Sequence, residues 1–218
     1  MLTNNTIINK VRIFMKRKIL SVFLCTIIMS GAICSCGHDE IVTQTGGNVI
    51  TDISAEEWTT EKLCEAVLIN GKNISPICTL REFGDEFEID TNDELGLVYR
   101  EDNKSATSSL AYNGYDVGSF GVRQCEGEDK VFDSPLGAII FSKDTDEELK
   151  CPVSVNGVTV GSSSETMLKN LYFMEKSDYS WDDEKKTYTL DFKTEEFTIK
   201  VICRDDCVNH ILIRFEKV

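Results

Sequence analysis

The 218 residues, 41% hydrophobic and 28% charged, fit a folded globular protein and exclude a disordered or low-complexity chain. The formal charge of −14 understates the acidity: residues 1–35 hold five of the 23 basic side chains and no acid, leaving 18 basic against 37 acidic residues, a net of −19. A body of that sign lacks the clustered Lys and Arg that displace counterions from a phosphate backbone, so nucleic acid is not an expected partner.

The chain opens on fourteen unpatterned residues that a signal does not need, so translation is expected to begin at either Met1 or Met15. From Met15 the sequence reads Met15-Lys16-Arg17-Lys18, then an apolar run from Ile19 to Ile33, then Cys34-Ser35-Cys36. A basic lead followed by a short apolar run is the pattern of a secretory signal peptide. The run falls short of the ~20 apolar residues that a spanning helix needs. Ser21, Thr26, Ser30 and Gly31 interrupt it further. Residues 1–35 are therefore expected to be an export segment, and 36–53, polar and without periodicity, a flexible linker. Nine cysteines divide accordingly: Cys25 and Cys34 leave with the signal, Cys36 begins the linker, and Cys64, Cys78, Cys125, Cys151, Cys203 and Cys207 stay in the body. An even number in an exported chain invites a disulfide reading. Cys203 and Cys207, on either side of a polar turn, are the candidate pair.

In the body, Ser54-Ala55-Glu56-Glu57 has the spacing of a capping box, so a short helix is expected there, with Trp58 and Leu63 as its apolar contacts. Period-two alternation then dominates, which argues for a sheet. Strands are expected at Leu97–Arg100, Ser108–Tyr112, Tyr115–Val122 and Leu136–Phe141. Three further runs, around Leu190, Ile199 and Ile213, make a C-terminal antiparallel meander separated by the polar turns 193–196 and 204–209. Asn70-Gly71, Asn113-Gly114 and Asn156-Gly157 are hairpin signals, because Asn and Gly tolerate the positive φ that tight turns demand. Two of them open similar passages 86 positions apart, Val67–Phe83 and Val153–Leu171, each a hairpin followed by a short capped helix. The expected class is α+β, antiparallel sheet with short helices, arranged as two tandem related modules over 54–145 and 146–218.

Ile33-Cys34-Ser35-Cys36 resembles the bacterial lipobox. The resemblance implies cleavage before Cys36 and a diacylglycerol on its thiol, and with it a place on the extracytoplasmic face of the cell membrane. The second passage, a strand, Asn156-Gly157, then Gly161-Ser162-Ser163-Ser164-Glu165 and a helix, then antiparallel strands, resembles lipoproteins of unknown function from Gram-positive gut bacteria. Their modules are similar to the α/β units of β-lactamase inhibitor proteins and of outer-membrane assembly lipoproteins. Leu171-Tyr172-Phe173 stands where that pattern often has Gly-x-Pro. The resemblance implies a binding or envelope role rather than catalysis.

Weighed one by one, the chemical candidates are modest. The only histidines are His38 and His210, and no nucleophile motif, phosphate loop or HExxH is present. Gly161–Glu165 is read as a helix start, since it lacks the Lys of a phosphate cradle. Cys203, Cys207 and His210 lack a fourth zinc ligand, and Asp90–Gly96 with Glu101 places its glycine one residue late for a calcium loop. Carboxylate pairs such as Asp205-Asp206 or Asp144 with Asp146 fall in turns. Trp58, Trp181, Tyr112, Tyr115 and Phe120 are read as core before ligand face. The expectation is a lipid-anchored binding module without enzymatic activity, cofactor or metal, its partners being the membrane and a protein or cell-wall component. The alternatives are a small metal-assisted envelope enzyme or a protein inhibitor.

Overall fold

A computed structural model describes residues 49–90, 96–142, 151–176 and 187–217. The export segment, Cys36 and most of the linker lie outside them, as do Trp181, Asp144, Asp146 and the centre of the acidic loop 91–95. No helix among the described residues is long and apolar enough to cross a membrane.

Ser54 begins a single 3-10 turn, Ala55–Glu57, in which the Glu57 carboxylate accepts the Ser54 N–H at 2.6 Å. The helix proper starts at a second cap. Thr59 Oγ1 accepts the Lys62 N–H and opens α1, Thr60–Ala66, which buries Leu63 and Ala66. The chain passes directly into β1 (Val67–Ile69), turns at Asn70-Gly71 and returns as β2 (Lys72–Asn73). A 3-10 turn at Leu80–Phe83 leads to β3 (Phe87–Ile89), β4 (Val98–Arg100), β5 (Ser105–Tyr112), β6 (Tyr115–Val122) and β7 (Leu136–Ser142). The second half repeats the plan: β8 (Val153–Val155), α2 (Ser164–Asn170), then β9 (Glu175–Lys176), β10 (Tyr188–Lys193), β11 (Phe197–Arg204) and β12 (Cys207–Phe215). The fold is α+β, dominated by antiparallel sheet, as expected.

All three Asn-Gly pairs adopt positive φ, from 46° to 53° at the asparagines and 72° to 81° at the glycines. The last meander turn is tighter than its polar sequence suggests. Asp205 and Asp206, at φ 52° and 64°, make a two-residue turn, so strand pairing continues through Arg204 and Cys207. Tight antiparallel hairpins favour such a positive-φ pair because its twist matches that of the strands.

The large sheet runs β3-β5-β6-β7-β12-β11-β10-β9, with β4 also on β5, and the small one β2-β1-β8. The order of the large sheet is a mirror about its centre, whereas in the small sheet β8 has only the isolated bridge Val155–Val158 where β1 has β2. In the large sheet the seam is β7 against β12, Ile139 opposite Ile213; in the small sheet β1 meets β8, Leu68 opposite Ser154. Leu68 and Ser154 are themselves 86 positions apart. The correspondence reaches individual hydrogen bonds: Asn70 N–H donates to Pro152 O at 2.7 Å, and Asn156 N–H donates to Ala66 O at 2.8 Å. Each asparagine side chain then closes the helical turn that follows it, Asn70 Nδ2 on Phe83 O and Asn156 Nδ2 on Asn170 O. The two expected modules are thus halves of one layered body: residues 43–218 form a single compact unit. Leu136, Ile139, Phe141, Phe197, Ile213 and Phe215 fill its core from the large sheet, and Leu63, Ile69, Leu80, Met167 and Leu171 from the opposite layer.

The halves differ at the third bond of each asparagine. Asn70 Oδ1 accepts from the Tyr112 hydroxyl at 2.7 Å. Asn156 instead grips the main chain of Ile50, accepting its N–H at 2.8 Å and donating to its carbonyl at 3.1 Å. The Tyr172 hydroxyl holds Ile53 O at 2.5 Å, and Trp58 stacks on Phe173 with ring centroids 3.5 Å apart. Residues 50–58 are therefore a strap bonded across the second half. The expected linker extended to residue 53, but its last residues are fixed, because Ile50 and Ile53 find apolar contacts and their peptide groups find partners.

Candidate functional site

The two faces of the large sheet differ in side-chain volume. On β5, β6 and β7 the inward positions carry Ala106, Leu110, Val117, Phe120, Val122, Ile139 and Phe141, all buried. The outward positions carry Thr107, Ser109, Ser119, Gly121, Ala138 and Ile140. Small outward residues leave a depression where a sheet normally presents a ridge of side chains.

Two bulges bend the sheet around it. Leu110 faces Gly118 and Ala111 faces Asp116, so Val117 is the extra residue of β6; Gly121 faces Ala138 and Val122 faces Leu136, so Gly137 is the extra residue of β7. Bulges bend a strand and increase its local twist. The result is an open groove of about 360 Å³ lined by Thr107, Ser108, Ser109, Ser119, Phe120, Gly121, Ala138 and Ile140, with Gly96 and Val98 at the β4 side. Its volume lies in the range of ligand sites, although it is more open than an enclosed pocket. The lining offers hydroxyls, a methyl surface and bare backbone but no titratable group.

The residues singled out from sequence lie elsewhere, and they do not converge. Trp58 is buried against Phe173, Tyr112 packs on Phe87 and bonds Asn70, Phe120 packs inward against Phe132, and Tyr115 stands exposed at a hairpin. These aromatics therefore make no common ligand face. Gly161–Glu165 is consumed internally: Gly161 N–H donates to Val208 O, Ser164 N–H to Asp206 O, and Ser163 Oγ accepts from Thr166 N–H. Asp206 also takes the Ser164 hydroxyl, so one member of the Asp205-Asp206 pair serves the start of α2.

No disulfide joins the body cysteines, and the bridge expected between Cys203 and Cys207 is not formed. The register explains it. Cys203 pairs with Val208 and Arg204 with Cys207; Cys203 and Val208 are fully buried, whereas Arg204 is exposed. Cross-strand partners share a face, so the two sulfurs lie on opposite sides of the sheet, outside the narrow geometry of a disulfide. Burial pushes the Cys78 and Cys151 thiols up to about 12, and burial followed by the charges of Glu196, Glu61 and Glu65 raises Cys64. These three are protonated at neutral pH and are poor nucleophiles. His210 lies outward on β12 beside Ser142 and Ile202; burial, and then the charge of Arg204, lowers its pKa. Among the described residues no three His, Cys, Asp or Glu side chains gather as a metal site.

The groove went unseen in the sequence, though a signal for it was present. Every second residue from Ser105 to Ser109, and again Ser119 and Gly121, is small or hydroxylic where a half-buried strand usually shows larger polar residues. No protein family, no curated protein and no solved structure matches this chain.

Proposed function

We propose that this protein is a binding module without enzymatic activity, lipid-anchored through Cys36 on the extracytoplasmic face of the cell membrane, and that it engages a protein or wall component through the outer groove of its large sheet. The anchor rests on the lipobox resemblance and on an apolar segment too short to span a bilayer. The observation that carries the binding role is the groove itself. It is an open contact surface of about 360 Å³ whose lining holds no acid, base or thiol, so it offers shape and hydrogen bonds rather than catalytic groups. The alternatives, metal-assisted catalysis and inhibition of another protein, have no comparable feature among the described residues.

Two substitutions test the two parts separately. Cys36→Ser is expected to move the protein from the membrane fraction to the soluble fraction; retention in the membrane would end the anchor reading. Gly121→Val fills the groove floor from a strand position. An added Cβ there meets the Thr107 methyl at 3.3 Å, a contact that a side chain can relieve, so folding should survive. Capture of partners from envelope extracts should fall at least tenfold while the circular dichroism spectrum is unchanged. Undiminished capture would remove the groove from the function.

A further inference from the structure

We infer that the groove receives an extended peptide segment of a partner protein, oriented by an acidic residue at one end and a basic residue at the other. The inference rests on the binding role proposed above and specifies its ligand. The arginines that border the groove gather at one end, where the carboxylate of Glu216 is held by the Thr198 hydroxyl, although the body as a whole is acidic. Beside the Thr107–Gly121–Ala138 row stand two arginines: Arg214 is directly opposite Ala138, and Arg100 lies on β4 two residues beyond Val98, which faces Thr107. Both are exposed, and neither has an ion-pair partner among the described residues. Arg123 lies at the same end, its Nε 2.9 Å from the place a Cβ on Gly137 would take.

The opposite end is acidic. Glu88 of β3 and Asp116 of β6 both face Ala111, and both are exposed. From Thr107 to Ala111 along β5 is four residues, or about 13 Å at the rise of a strand. The next cation across the sheet, Lys200, is held by Asp191 at 3.8 Å and adds little to this field.

A peptide fits this surface better than a sugar chain does. Saccharides are commonly gripped by exposed aromatic faces, and Phe120, the one aromatic of the lining, packs its ring inward on Phe132. Glycine and alanine in the floor permit close approach of another main chain, and the Thr107 and Ser119 hydroxyls can bond its peptide groups. Arginine reads a carboxylate through two parallel N–H donors, which gives the acidic end of the ligand its position. The opposed charge at the other end fixes direction more than affinity.

The test uses the full chain, ¹⁵N-labelled, in detergent micelles, with three capped pentapeptides: Glu-Thr-Thr-Thr-Lys, Gln-Thr-Thr-Thr-Gln and Lys-Thr-Thr-Thr-Lys. The first should shift the amide signals of Ser109, Ser119 and Ile140 and bind at least tenfold tighter than the other two. Combined Arg100→Gln and Arg214→Gln, both at exposed positions, should abolish that advantage, as should molar salt, which cuts the screening length to about 3 Å. Equal binding of all three peptides at the same amides would overturn the charge-ordered ligand and leave the groove as a binding site. If no peptide moves those amides, a peptide ligand is wrong; partner capture that remains sensitive to Gly121→Val would then keep the broader role alive, and insensitive capture would end both.

Discussion

Asn156→Ala should lower the unfolding free energy by about 3–5 kcal/mol, seen as a reduced midpoint in urea with an unchanged slope. Asn156 is 1% exposed, and its side chain makes three bonds to main chain, with Ile50 N–H, Ile50 O and Asn170 O. Removing it strands buried peptide groups that water cannot readily reach, which costs more than the lost bonds alone. Alanine also inherits the φ of 46°, a conformation it adopts at a cost of about 1 kcal/mol or more. Asn156→Gly separates the two contributions, because glycine keeps the turn and loses only the side chain. Amide exchange at Ile50 should accelerate in both variants. A loss below about 1 kcal/mol in the alanine variant would mean that the strap contributes little to the folded state.

Gly118→Ala is the second large effect, and it acts through backbone rather than side chain. Gly118 has φ of 136°, next to the β6 bulge, and a Cβ there would run into the main-chain carbonyl of Ile140 on the neighbouring strand. A carbonyl within a sheet ladder cannot step aside as a flexible side chain can. The expected result is a loss of about 3 kcal/mol or more, or a chain recovered only as aggregate. Gly121→Ala, three residues along the same strand, should cost under about 1 kcal/mol, since its nearest neighbour is a methyl group. Equal stability of the two variants would show that the β6 bulge relaxes freely.

Much of the fold was readable because its signals are local. The alternation of Tyr115–Val122 places that strand to the residue, and each Asn-Gly pair sits in the turn it announces. Even the likeness of Val67–Phe83 to Val153–Leu171 survives as matched hydrogen bonds. What escaped depends on distant partners. β3 and β9, three and two residues long, carry no pattern of their own and exist because β5 and β10 offer them an edge. Residues 49–53 look like linker until Asn156, 106 positions away from Ile50, supplies their bonds. The sulfurs of Cys203 and Cys207 are four residues apart in sequence, and only the register, shifted by the bulge at Asn209, decides which faces they take. The groove was invisible for a related reason. A depression is made of atoms that are missing, and small residues on three strands become one surface only after the strands are paired.

The central position of the β7–β12 seam also dictates when the molecule can be completed. β12 follows all the other described strands in sequence, yet it sits in the middle of the large sheet, between β7 and β11. As the polypeptide emerges N-terminus first, β7 is synthesised with Ile139 and Phe141 on an open edge and must wait some seventy residues for its partner, a separation that makes contact order high and assembly slow. An unpaired apolar edge held open for that time is a site where two nascent copies can join wrongly. Yield of native protein should therefore depend on how quickly β12 arrives, and on what shields β7 until it does.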